Sequence, residues 1–177
     1  MGTAARRLPG LSGRPVRIRL RPGLTVRRNR LLSRAPAGQP VHAGSFLRRR
    51  VIVLDSELLE SPAELSRILV HELFHFVWLR LGNAARRTYE EVLRGEIRRR
   101  ARGELGYSAE SRKLKLTAED PRTRSRRWRE YACESFCDTA AWLYAGVRRH
   151  GEYTLAGVFR RRRRSWFRNL ETAPLSI

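Results

Sequence analysis

Lysine is almost missing from this chain: only Lys113 and Lys115 occur, which leaves arginine for the other 36 of 38 basic residues. Acid is missing from the first 54 positions, which hold 13 arginines before Asp55 appears, and the net charge is +21. Cysteine is scarce. Cys133 and Cys137 are the only two, four apart in a helical pattern, where a disulfide is awkward; they read as small buried thiols in a reducing compartment rather than as a disulfide framework. No apolar run reaches the roughly 20 residues of a membrane span, and Met1 to Gly23 has no apolar core of a secretory signal. Phosphate loop, dinucleotide fingerprint, nucleophilic triad, zinc knuckle and helix-turn-helix patterns are also missing. A cytoplasmic protein without a membrane span is the expectation. The arginine clusters, among them Arg160 to Arg164 next to Trp166 and Phe167, predict a solvated basic face. Nonspecific polyanion binding is the alternative reading, and acidic peptide substrates would also suit this field.

What is present is a pentapeptide, His71-Glu72-Leu73-Phe74-His75. With 4 His and 14 Glu in 177 residues, HExxH would arise by chance in about 0.7% of such chains. Its setting is helical. Ser61-Pro62-Ala63-Glu64 reads as a capping box with Pro at the first helical position, and Gly82-Asn83 as a stop. One helical turn puts both imidazoles on one face, where they can reach one cation, with Glu72 placed to take a proton from a water. The residues from Ile68 to Leu81 are apolar nearly all round, so the helix is expected to be buried. Two buried imidazoles and a carboxylate cost several kcal/mol unless a partner satisfies them, and a divalent cation would.

Catalytic zinc takes three protein ligands. His42 and His150 are the remaining histidines, and the extended motif with a third histidine fails because Trp78 and Leu81 stand at its Gly and His positions. A carboxylate is therefore needed. Glu130, Glu134 and Asp138 recur every four residues and share one helical face, a stripe that repels itself unless cations face it.

HELFH followed by Glu134-x-x-x-Asp138 resembles the gluzincin arrangement of zinc metallopeptidases, most closely the lethal-factor-type branch in its Glu-x-Phe-x-Asp-x-Ala-Ala-x-Leu texture. The resemblance spans two helices. It implies a zincin-like domain that binds Zn2+ and cleaves a peptide or protein substrate. It further implies His71, His75 and Glu134 as ligands, Glu72 as general base and Asp138 as the acid that orients His71 from behind. An edge strand would hold the substrate in extended form. Glu130-x-x-Cys133-x-x-Phe136-Cys137 is also similar to the helix of repressor-cleaving regulatory peptidases, which would make Glu130 the third ligand. A nucleic-acid-associated basic protein with a structural or vestigial zinc site is the other alternative. An oxyanion donor is expected, with Tyr131, Tyr144, Tyr153, His150 and the arginines all eligible.

The expected fold is α+β: a short N-terminal β-sheet, then a mainly helical bundle carrying the site helices, over residues 15–177, after a basic disordered tail at 1–14. Val16 to Leu20 alternates and predicts a strand with one apolar face, paired as a hairpin with Leu24 to Arg28. Ala35 to Ser45 reads as loop and Val51 to Leu54 as a buried strand. Helices are expected over Ala84 to about Arg102, Asp120 to about Arg149 and Tyr153 to Leu170, with Tyr107 to Asp120 irregular or a short helix.

Overall fold

Val51-Ile52-Val53-Leu54 is the most apolar short run in the chain, and it forms the middle strand of the sheet beneath the site. The computed structural model describes residues 8–28, 30–34 and 37–177. It is α+β. The strands are β1 (Leu11–Ser12), β2 (Arg17–Arg21), β3 (Leu24–Arg27), β4 (Arg30–Ser33), β5 (Gln39–Pro40), β6 (Ala43–Phe46), β7 (Val51–Asp55) and β8 (Leu175–Ser176). The helices are α1 (Pro62–Arg80), α2 (Asn83–Arg98), α3 (Tyr107–Lys113), α4 (Asp120–Thr123), α5 (Arg126–Tyr144) and α6 (Gly157–Leu170).

In β7 the side chains of Ile52 and Leu54 are buried, and both strand edges are paired. β2 runs parallel to it, Ile18 opposite Ile52, and β6 runs antiparallel, Ser45 opposite Ile52. The expected β2–β3 hairpin does not form. Gly23 (φ +58°) turns the chain, and β3 joins β4 and β5 in a second sheet. A long-range partner wins because Asp55, at the end of β7, takes the Leu24 N–H at 2.6 Å and fixes where β3 starts. β2 also lacks the expected buried face: Ile18 is 53% and Leu20 42% exposed. It is an edge strand, with Arg17, Arg19 and Arg21 exposed along it, a charged row that discourages edge-to-edge pairing.

The first half of the expected tail, 1–7, lies outside the described residues. Its second half is not a tail, since β1 pairs in parallel with β8 at the far end of the chain. The predicted loop from Ala35 to Ser45 contains β5 and most of β6.

α1 starts at Pro62 as its proline predicts, but the capping box is not made: Ser61 has no side-chain cap bond. Glu64 instead binds Arg67 at 2.7 Å and His150 at 2.8 Å. The second site helix does not begin at Asp120. That segment makes one turn, α4, which ends where Arg124 adopts a left-handed conformation (φ +51°). Ser125 then caps α5 by accepting from Trp128 N–H, and α5 ends at Tyr144 rather than Arg149. α6 likewise begins at Gly157, not Tyr153.

α5 carries Ala132, Ser135, Ala140 and Ala141, all buried, so its backbone approaches α1 closely. Around that contact Phe136 and Phe167 stack at 4.9 Å between ring centres, and Phe74 packs tilted against Phe136. Each fully buried aromatic contributes on the order of 2–3 kcal/mol from area alone. The crossing holds HExxH on α1 against the acid stripe on α5. Among the described residues no helix is long and apolar enough to cross a membrane.

One arginine of the Arg160–Arg164 run departs from the solvated face expected of it. Arg163 is fully buried and forms paired bonds to Glu96 (2.6 and 2.9 Å) and to Glu104 (2.7 and 3.0 Å). Glu104 also accepts from Tyr131 O–H at 2.6 Å and faces Lys113 at 3.2 Å. This ion cluster ties α6 to α2 and to the segment leading into α3.

Candidate metal centre

His71 and His75 stand one turn apart on α1 with their rings edge to face, 5.0 Å between centroids. From α5, Glu134 brings Oε2 to 3.3 Å from His71 Nε2 and 4.0 Å from His75 Nε2. The three donor atoms fall within 4.8 Å of one another. In a tetrahedral zinc site two N or O donors lie about 3.4 Å apart, as follows from metal–ligand lengths near 2.0–2.1 Å. The His71–Glu134 edge already has that length, and the His75–Glu134 edge is somewhat wider. Two imidazoles and one carboxylate are a donor set that suits zinc.

Behind the three candidate donors lies a supporting layer. His71 Nδ1 is 2.7 Å from Asp138 Oδ1, so that nitrogen carries the proton and Nε2 is turned toward Glu134. Asp138 is itself fixed by the Ala109 N–H on Oδ2 at 2.9 Å. Gly106 makes room for it, since a Cβ there would sit 2.3 Å from the Asp138 carboxyl carbon. Arg112 binds the other oxygen of Glu134, Oε1, at 3.1 Å, which leaves Oε2 for the imidazole side.

The electrostatics follow from this packing. Burial opposes charge on His71, but Asp138 and then Glu134 outweigh it and hold its pKa well above the ordinary histidine value. Burial would raise Glu134, yet its bond to His71 and the nearby positive charges bring it down to about 2. Cys133 falls to about 6, first through the bond from Cys137, while burial and Cys133 push Cys137 well up. The self-repulsion expected of the acid stripe is answered member by member: Arg126 for Glu130, Arg112 and His71 for Glu134, and His71 for Asp138.

Glu72 lies on the cleft side of α1. Ser45 on β6 donates its hydroxyl to Glu72 Oε2 at 2.5 Å. A cleft of about 420 Å³ opens over His71 and Glu72, walled by Gln39 to Ala43 on one side and by Arg67, Tyr107, Ser108 and Glu152 on the other.

Of the sequence-derived candidates, His71, Glu72, His75, Glu134 and Asp138 come together. Glu130 does not. Its side chain is 47% exposed and pairs with Arg126 at 2.6 Å, one turn back on the same helix. None of the four non-arginine candidates for the oxyanion donor lines the cleft. Tyr131 donates to Glu104, Tyr144 to Glu171, and His150 binds Glu64. The Tyr153 hydroxyl is buried without a hydrogen-bond partner. Tyr107, 66% exposed, and His42 line the cleft instead. Ser45, Arg112 and Gly106 were not legible as site residues. Each acts across a fold-dependent contact, and only a glycine beside an aromatic at Gly106-Tyr107 marks the spot.

No protein-family model, curated protein or solved structure matches the chain.

Proposed function

We propose that this protein is a zinc-dependent metallopeptidase of gluzincin type, with His71, His75 and Glu134 as ligands and Glu72 as general base. The convergence of Nε2, Nε2 and Oε2 at zinc-like separations, beside a carboxylate facing a cleft, carries the reading. Zinc held there would act as a Lewis acid and bring the pKa of its water toward 7. Glu72 accepts the proton of the attacking water and passes it to the departing amine. The Ser45 hydroxyl holds the Glu72 carboxylate in place for both transfers. Asp138 keeps His71 in the tautomer that presents Nε2. Tyr107 or His42 supplies the donor for the oxygen on which charge develops.

An extended peptide fits beside β6. This strand ends its sheet, and the bond from Asp55 N–H to His42 C=O sets the phase of its ladder. His42, Gly44 and Phe46 face β7, so Ala43 and Ser45 turn their N–H and C=O groups to the open edge, next to Glu72. Arg67 in the cleft is already neutralised by Glu64 and Glu152. A preference for acidic peptides therefore rests on the overall charge alone. Free thiols suit a reducing cytoplasm.

Purified protein should bind one equivalent of zinc and cleave an unstructured polypeptide, losing cleavage with a chelator and regaining it with zinc. Protein that folds but takes up no zinc would overturn the proposal.

Proton linkage gives a second expectation. The folded-state pKa of His71 is raised, so its stabilising effect in the metal-free protein is full below the unfolded value, near 6.5, and fades as pH rises. That of Glu134 is depressed, so its effect is full above its ordinary 4.5 and is lost as pH falls toward about 2. Metal must displace the His71 proton. The rise in melting temperature caused by zinc should therefore grow from about pH 6 to pH 8. A rise that is flat across this range would contradict it.

A further inference from the structure

His75 differs from His71 in what its second nitrogen meets. A metal-ligating histidine usually directs that nitrogen to a carboxylate, a backbone carbonyl or water, as His71 does with Asp138. His75 Nδ1 instead lies 3.5 Å from the Cys133 sulfur. Cys137, one turn further along α5, is fully buried. The donor atoms of His75, Cys133 and Cys137 also lie within 4.8 Å of one another. A sulfur and a nitrogen bound to one ion at lengths near 2.3 and 2.0 Å sit about 3.5 Å apart, the separation seen here.

We propose that His75, Cys133 and Cys137 form a second metal site, for a thiophilic d10 cation such as Cd2+ or Cu(I). Two thiolates and one imidazole make a three-donor set that thiophilic d10 ions accept, softer than the pair of His71 and Glu134. Both cysteines are free, and a disulfide between them would strain a regular helix, so the pair stays available as thiols. A neutral imidazole has one lone pair. His75 thus serves the sulfur pair through Nδ1 or the Glu134 side through Nε2, one at a time, and a thiophilic ion competes with the zinc arrangement for it. Whether the sulfur site binds is independent of whether the protein hydrolyses peptides.

The full chain, kept reduced with a phosphine, is titrated with Cd2+ and followed by the sulfur-to-cadmium charge-transfer absorption, with X-ray absorption at the cadmium edge counting sulfur neighbours. Wild-type protein should show the band saturating at one equivalent, with two sulfurs on the ion. The double variant His71→Ala/Glu134→Gln, which lacks the zinc arrangement, should keep both signals. Cys133→Ser, at a half-buried position, should weaken the band and leave at most one sulfur, and Cys133→Ser/Cys137→Ser should abolish it. Circular dichroism establishes that each variant is folded. A folded wild-type protein that binds Cd2+ without sulfur neighbours, or a band unchanged in folded Cys133→Ser, would overturn the proposal.

Discussion

Glu72→Gln is expected to keep the fold and the bound zinc while slowing peptide hydrolysis by roughly 10²–10⁴-fold, the usual worth of a positioned general base. The substitution is nearly isosteric. Its amide oxygen still accepts from the Ser45 hydroxyl, which now holds the Glu72 carboxylate at 2.5 Å, so the cleft keeps its shape. What is lost is the capacity to take a proton. Measuring cleavage of an unfolded polypeptide alongside zinc content and circular dichroism separates the chemical role from a structural one. Full activity in the folded, zinc-loaded variant would remove Glu72 from the mechanism.

Arg163→Leu should destabilise the protein by about 3–5 kcal/mol, the cost of leaving buried charge without its partner. Arg163 is enclosed and binds four carboxylate oxygens, two on Glu96 and two on Glu104. Burial would push Glu104 upward, and the guanidinium is what holds its pKa down. Without it, two buried carboxylates would be left with Lys113, 3.2 Å from Glu104, against them both. Against a typical total of about 5–15 kcal/mol, this loss brings the domain close to unfolding. Adding Glu96→Gln and Glu104→Gln to Arg163→Leu should recover part of the loss, since the uncompensated charges are gone. Chemical denaturation reads both effects. A change below about 1 kcal/mol in Arg163→Leu would mean that solvent reaches the cluster.

The two helices of the candidate site were legible because their signals are periodic. HExxH lies on one face of α1, and Glu134 and Asp138 share a face of α5 at the same spacing. Helical geometry put both imidazoles on one turn of α1 and Glu130, Glu134 and Asp138 on one face of α5, and the resemblance to gluzincins supplied the roles. The choice between Glu134 and Glu130 was beyond periodicity, because both project from one stripe. The crossing of α1 over α5, lined by small residues such as Ala132 and Ala140 and by the packing of Phe74 on Phe136, brings Glu134 and not Glu130 to the imidazoles. Supporting residues were invisible for a related reason. Ser45 reaches Glu72 from 27 positions away, and Arg112 reaches Glu134 from another helix, with no local pattern to announce either.

Sheet pairing was the weakest part of the reading. Val16 to Leu20 and Leu24 to Arg28 look like a hairpin locally, yet each finds a different partner, since the apolar β7 needs neighbours on both edges. Arginine content misled as well. Counting charge at Arg160 to Arg164 predicts a wet surface, whereas Arg163 pairs with Glu96 and Glu104 inside the core. Arg164 lies over the Trp142 ring at 4.8 Å. Part of the excess charge is thus structural.

Zinc quantified after exhaustive dialysis of the wild type, Glu134→Gln and Glu130→Gln tests most directly whether α1 and α5 jointly bind an ion. Wild type and Glu130→Gln should each retain one equivalent, and Glu134→Gln should retain little or none while staying folded. A full equivalent in Glu134→Gln, or its loss in Glu130→Gln, would contradict the ligand set from which the proposed chemistry follows.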